Sequence, residues 1–204
     1  SLSDDEGRPK TPDAAGPGGL SPVAGAFAAG ILKDLDSILA FTAPSVISYQ
    51  RLTPHRWSAA FNNLGFRDRE AALRICPVSA LNPASIDHQF NLEFRAADAA
   101  ASPHLMLAAL VHAGVQGIEE ELSAPEPTAE DLSKLSPAEL QARNLVRLPQ
   151  SLPEALTRLE ANDTVRGWFP AAFVPIYLAH KRAEIAHVEP MDVADQCRAY
   201  ERTY

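Results

Sequence analysis

"NLEFRAADAAASPHL" covers residues 91–105 and joins an alternating run to the start of an apolar stretch. In a strand, successive side chains point to opposite faces, so Glu93 and Arg95 project to one side and Leu92 and Phe94 to the other. Opposite charges sharing a face have two readings. One is a cross-strand salt bridge at a sheet edge. The other is a site that holds a cation with one residue and an anionic substrate with the next.

On the C-terminal side, "SPHLMLAALVHAGVQGIEEEL" (102–122) reads as a helix whose Leu/Ala density predicts burial on most sides. A Pro-rich acidic segment, "SAPEPTAEDLSKLSPAEL", follows as surface chain. Ser136-Pro137 and Ser151 have the form of helix caps, with helices over 151–161, 171–188 and 191–202. On the N-terminal side, "RWSAAFNNLGF", "EAALRICPV" and "HQFNLEFRA" predict three antiparallel strands, with "RDRE" as a polar turn or strand end. "SVISYQRL" reads as extended or irregular after the helix-stopping Pro44. Ser21-Pro22 opens a helix to about Ala40, with Val23, Phe27, Ile31, Leu35 and Ile38 along one stripe. Residues 8–20 are a Pro/Gly loop. The order of elements gives an α+β fold: an antiparallel sheet within 42–98, covered on one face by helices 21–40 and 102–122, with a helical C-terminal region.

The 204 residues are 46% hydrophobic, enough for one or two packed domains. A net charge of −8 argues against nucleic acid as a partner. The longest apolar stretch, "VAGAFAAGIL" (23–32), is too short to span a membrane. Cys76 and Cys197 lie far apart and read as free thiols in a reducing cytoplasm. The opening "SLSDDEGRPK" has no initiator Met and no signal peptide, which reads as a piece of a longer chain.

Arg51, Arg69, Arg74 and Arg95 stand out, with Arg67 on the same strand parity as Arg69. Guanidinium groups give carboxylates and phosphates planar, bidentate donors. Arginines converging from several strands repel unless an anion or a carboxylate lies between them. Glu93 supplies one negative charge. The simpler alternative is a set of surface arginines paired with Asp68, Glu70 and Asp98.

"TAPSVISYQRLTPHRWSAAFNNLGFRDREAALRICP" (42–77) resembles the catalytic domain of the glutamine synthetase family, whose pattern is an Asn-Ser-Tyr-Lys-Arg-Leu-like run, a Pro-Gly flap, an Asn-Arg pair and a final strand with Arg-Ile-Pro. "LEFRAADAAASPHLMLAALVHAGVQGI" (92–118) resembles that family's next block, Glu-x-Arg-x-x-Asp followed by its helix, and "SLSDDEGRP" its His-x-Ser-Leu strand, entered just after the His. The resemblance covers nearly the whole chain and weakens after residue 125. It implies that residues 1–204 are the C-terminal portion of a catalytic domain, forming part of its barrel. The N-terminal β-grasp domain and the first part of the catalytic domain, with most metal ligands, would precede Ser1.

The resemblance also implies roles. Arg51 would bind the glutamate carboxylate, and Arg95 the end of the substrate that becomes an acyl phosphate. Arg69, the catalytic candidate, would bridge nucleotide phosphate and substrate, while Arg74 and Ser1 would hold ATP. Glu93 would ligate Mg²⁺ or Mn²⁺, since hard cations take carboxylate oxygens. The implied reaction is ATP-dependent formation of an amide from glutamate and ammonia or an organic amine, through γ-glutamyl phosphate. It would run in a cytoplasmic homo-oligomer of stacked rings.

Departures from the family pattern bear on the amine. Trp57 stands where glutamine synthetases proper carry the flap glutamate that attracts ammonium, and His55 and Arg56 replace other flap residues. Ile47 and Gln50 differ within the Ser-Tyr run. "SALNPASIDHQFN" is a longer insertion, Asn91 lies where a basic residue is common, and Ser133 lies near a regulatory tyrosine of some bacterial members. These changes favour an amine other than ammonia. A non-catalytic truncated or scaffold relative that keeps the fold is the alternative.

Overall fold

The computed structural model describes residues 1–201. Helices α1 (Pro22–Lys33) and α2 (Leu35–Thr42) come first, then a 3₁₀ turn over Val46–Gln50. Strands β1 (Leu64–Phe66) and β2 (Leu73–Ile75), helix α3 (Pro83–Gln89) and strand β3 (Leu92–Phe94) make the middle of the chain. Helices α4 (Pro103–Glu119), α5 (Pro137–Ala142), α6 (Leu152–Ala161), α7 (Asp163–Gly167), α8 (Phe173–Val188) and α9 (Val193–Glu201) complete it. The expected last helix reached residue 202, which lies outside the described residues.

The α+β class and the helical C-terminal region are as expected, but the sheet differs in detail. Its order is β1-β2-β3, and β2 pairs β3 antiparallel while β1 pairs β2 in parallel. Parallel neighbours ordinarily need a long crossover. Here residues 67–72 suffice because each strand is only three residues long and the return passes close over β1. A Cβ on Gly65 would collide with the side chains of Ala71 and Asp68. Arg67, at φ 60°, turns the chain out of β1. Residues 56–61 are loop rather than strand, and residues 88 and 89 belong to α3.

The helix expected over 21–40 is two helices, broken at Asp34 (φ −103°, ψ 11°). Asp34 is buried, and Asn162 donates Nδ2–H to its Oδ1 at 2.9 Å. "SVISYQ" is a 3₁₀ turn rather than an extended run: Ser45 and Ser48 each bond the other's backbone N–H, closing a capping box.

Small residues let α1 and α4 touch backbone to backbone. A Cβ on Gly30 would fall on the Ala113 carbonyl oxygen, and one on Gly117 on that of Ala26, while Gly114 makes room for the Phe27 ring. The buried face of α4 is therefore Ala109, Ala113, Gly114 and Gly117. Its large residues Leu107, Val111 and Val115 are exposed, contrary to the burial on most sides expected from composition.

The main core is one cluster. It joins Ile31, Ile38 and Phe41 of the first two helices to Leu64, Leu73 and Ile75 of the sheet, and to Leu152, Leu156 and Leu178 behind them. The acidic segment is not wholly surface. Thr128 pairs alongside Gly65, with its N–H donated to the Leu64 carbonyl at 2.8 Å, and Leu132 packs on Ala60 and Phe61.

Candidate functional site

Glu93 sits at the middle of β3, directly across from Arg74 of β2. Arg74 donates Nη1–H to Glu93 Oε2 at 3.0 Å, and Arg95 donates Nη1–H to Oε1 at 2.9 Å. The same-face pairing read from the alternation is thus a two-armed clamp, one arm cross-strand and one along the strand. Partial burial pushes the Glu93 pKa up, but hydrogen bonds and charge from Arg74 and Arg95 more than offset this and hold it below the usual carboxylate range.

Arg95 binds three segments at once. Besides Glu93, its Nε–H reaches the Arg69 carbonyl at 2.9 Å and its Nη2–H the Trp57 carbonyl at 2.9 Å. The Arg69 guanidinium lies 5.3 Å from the centroid of the Trp57 ring, within cation–π range. Arg69, Arg74, Glu93 and Arg95 are therefore together, with Trp57 at their edge.

Arg51 stands beside them, held from its own side. Its Nη1–H is donated to Ser58 Oγ and its Nη2–H to the Ala97 carbonyl, both at 2.6 Å. Burial lowers the Arg51 pKa; Asp98 raises it and the like charge of Arg95 lowers it further. A cavity of about 380 Å³ opens there, lined by Ser48, Arg51, Asp98 and Tyr200 among others.

Ser1, of the predicted set, and Arg67, noted only for its strand parity, have other surroundings. Ser1 is exposed and, among the described residues, makes no bond to the arginines; its neighbour Leu2 donates its N–H to Thr11 Oγ1 at 2.6 Å. Arg67 stacks on Phe66, its guanidinium 5.0 Å from the ring centroid.

Sequence reasoning passed over Ser58 and named Glu70 only as a partner for surface arginines. Ser58 is fully buried and receives Arg51. Glu70 accepts the backbone N–H of both His55 (2.9 Å) and Trp57 (3.3 Å). A lone serine in the apolar run "WSAAF" was the available signal for the first. The role of Glu70 carried no signal, because its partners are main-chain groups rather than arginines. The Arg74 Nε is buried and has no acceptor among the described residues. Among the described residues no three His, Cys, Asp or Glu side chains group as a metal site, so Glu93 offers one carboxylate by itself.

Comparison with known proteins bears on this arrangement. The family described as "Glutamine synthetase, catalytic domain" matches residues 1–200. The chain is 34% identical over 186 residues to the gamma-glutamylpolyamine synthetase of Streptomyces coelicolor, covering 91% of this chain and 39% of that protein. It is 36% identical over 187 residues to a glutamine synthetase of Streptomyces filamentosus, covering 90% and 38%. The chain spans about two fifths of the length of these curated relatives. A solved structure described as a "novel glutamine synthase homolog" superposes with a TM-score of 0.81 at 38% identity, over 96% of this chain and 42% of that one. A "GmaS/ADP complex" superposes at 0.75 and 28% identity, over 98% and 44%.

Proposed function

Because the chain belongs to the glutamine synthetase family, we propose that it is the C-terminal catalytic-domain portion of an ATP-dependent carboxylate–amine ligase. The observation that carries the reading is the meeting of the Arg74 and Arg95 guanidinium groups at Glu93, with the Arg69 backbone held by Arg95 and Arg51 close enough to feel the Arg95 charge. Phosphoryl transfer from ATP to a carboxylate brings several anionic groups together, and preorganised cations are what such a reaction requires.

In this reading Arg51 holds the α-carboxylate of glutamate, and Arg95 faces the side-chain carboxylate as it becomes γ-glutamyl phosphate. Arg69 bridges phosphate and substrate. Arg74 contacts the nucleotide, and its buried, unpaired Nε–H is a donor an anion would satisfy. That one similar solved structure is a complex with ADP supports reading the chain as part of a nucleotide-using enzyme. Ser1 completes the nucleotide site in this reading. An amine attacks the acyl phosphate, giving an amide and phosphate alongside ADP.

The divalent metal typical of the family, Mg²⁺ or Mn²⁺, would draw on Glu93. Both Glu93 oxygens already accept from arginines and, among the described residues, no three His, Cys, Asp or Glu side chains group as a metal site, so in this reading further ligands would have to come from other parts of the protein. Glutamate, ATP and ammonia or an amine are the proposed substrates, in a cytoplasmic homo-oligomer of stacked rings. No helix among the described residues is long and apolar enough to cross a membrane.

The lost flap glutamate and the arginine-capped Glu93 favour a second reading, a non-catalytic relative keeping the fold. Phosphate release by the full-length protein, with ATP, glutamate and a panel of amines, separates them. The ligase releases phosphate only when acid and amine are both present, and Arg95→Ala abolishes it. No amine-dependent release from the parent protein leaves the scaffold reading.

A further inference from the structure

The loop over residues 54–57 holds two non-glycine residues in the left-handed region: His55 at φ 62° and Trp57 at φ 53°. Side chains with a Cβ occupy that region at a cost, so the conformation persists only where the surroundings over-determine it. One group touches both residues. The Glu70 carboxylate accepts the His55 N–H with Oε2 and the Trp57 N–H with Oε1. Two amides converging on one carboxylate form a small anion nest, closed here by a residue of the same chain.

We propose that Glu70 is the positioning residue of this loop: by gathering the two amides it fixes the left-handed turns and sets Trp57 against Arg69. Three features converge on it. Glu70 directly follows Arg69, so the carboxylate and the guanidinium under the Trp57 ring leave adjacent backbone positions. The Asp68 carboxylate accepts the Glu70 N–H at 2.8 Å, which fixes the base from which Glu70 reaches. The opposite side of the loop is tied as well: Arg95 takes the Trp57 carbonyl, and the His55 ring meets Ser133 Oγ at 3.2 Å. With its amide and carbonyl both held, Trp57 presents its indole at the exposed edge, 69% exposed. The consequence for catalysis rests on the amine-ligase reading: Glu70 governs how the amine is received without touching it.

Glutamine at 70 keeps one accepting oxygen but turns an NH₂ toward the second amide. Aspartate keeps the charge but is too short to reach both. The test uses the full-length protein in a Trp168→Phe background, so that of the two tryptophans in this stretch only Trp57 reports. Glu70→Gln is expected to raise acrylamide quenching of Trp57 measurably but by less than two-fold, since the residue is already 69% exposed. It should also raise KM for the amine several-fold, with KM for ATP and the melting temperature little changed. Adding His55→Gly, which occupies positive φ freely, is expected to remove at least half of both effects, a coupling that loss of a generic contact would not show. The proposal is overturned if Trp57 quenching in Glu70→Gln matches the parent. It is equally overturned if every kinetic constant and the melting temperature fall together with no relief from His55→Gly. The quenching arm decides the positioning claim even where the parent turns over no amine, an outcome that counts against the ligase reading alone.

Discussion

Glu93 and Arg74 are register partners across the antiparallel β2–β3 pair, and their side chains meet at 3.0 Å. Since a strand's side chains alternate, a one-residue slip would send Glu93 to the opposite face and leave Arg74 and Arg95 without the carboxylate between them. The register of a sheet of three-residue strands is thus coupled to its charge pattern.

Glu93→Gln should therefore be destabilising, by roughly 1–2 kcal/mol at neutral pH; the partial exposure of the glutamate keeps the figure below that of a fully buried pair. Because the folded-state pKa is depressed, this stabilisation is fully present above the ordinary glutamate pKa of about 4.3 and lost as pH falls through the lower folded value. Urea melts from pH 7 downward should show parent and variant converging in acid. A constant gap would refute the assignment.

Gly30→Ala should cost about 3 kcal/mol or more, because its Cβ would fall on the Ala113 carbonyl and force α1 off α4. Gly167→Ala, at the end of α7 with nothing within 4 Å of the added carbon, is the control. It is expected to be neutral or slightly stabilising. Denaturant midpoints of the two variants measure the difference.

Ser58→Ala removes the buried oxygen that receives Arg51 Nη1. The expected outcome is a loss of about 1–2 kcal/mol in stability and a several-fold rise in KM for the acid substrate. KM for ATP should stay near that of the parent. Steady-state kinetics with each substrate varied in turn would expose an effect spread over both, against the prediction.

Trp57→Glu in the full-length protein should move amine preference toward ammonium. An indole offers cation–π attraction of about 0.5–2 kcal/mol and apolar contact worth roughly 25 cal/mol per Å², both of which favour an amine carrying carbon. Phosphate release across an amine panel at fixed pH reads the shift. An unmutated enzyme that prefers ammonium, unchanged by the substitution, would assign Trp57 to packing on Arg69 alone.

The helix starts were the most legible part of the sequence. Ser21, Ser136 and Ser151 each accept the backbone N–H three residues on, with proline at the first or second helical position, because capping is a local interaction. The Glu93/Arg95 pairing was legible for the same reason, being set by strand alternation. What could not be read depends on partners distant in sequence. The parallel β1–β2 pairing hinges on the missing Cβ of Gly65, the outward turn of Leu107, Val111 and Val115 on how closely two glycine-bearing helices approach, and the flap conformation on a carboxylate 13 residues from Trp57.

The three bonds of Arg95 have a mechanical corollary. A single guanidinium fastens the loop at Trp57, the return at Arg69 and the strand at Glu93. Swinging that side chain away removes one tie from each of the three segments in one motion, leaving Arg74 on Glu93 and Glu70 on the loop amides. An anion that pulled Arg95 out of this position would trade those three acceptors for itself, so ligand capture and loosening of the loop would be two ends of one exchange.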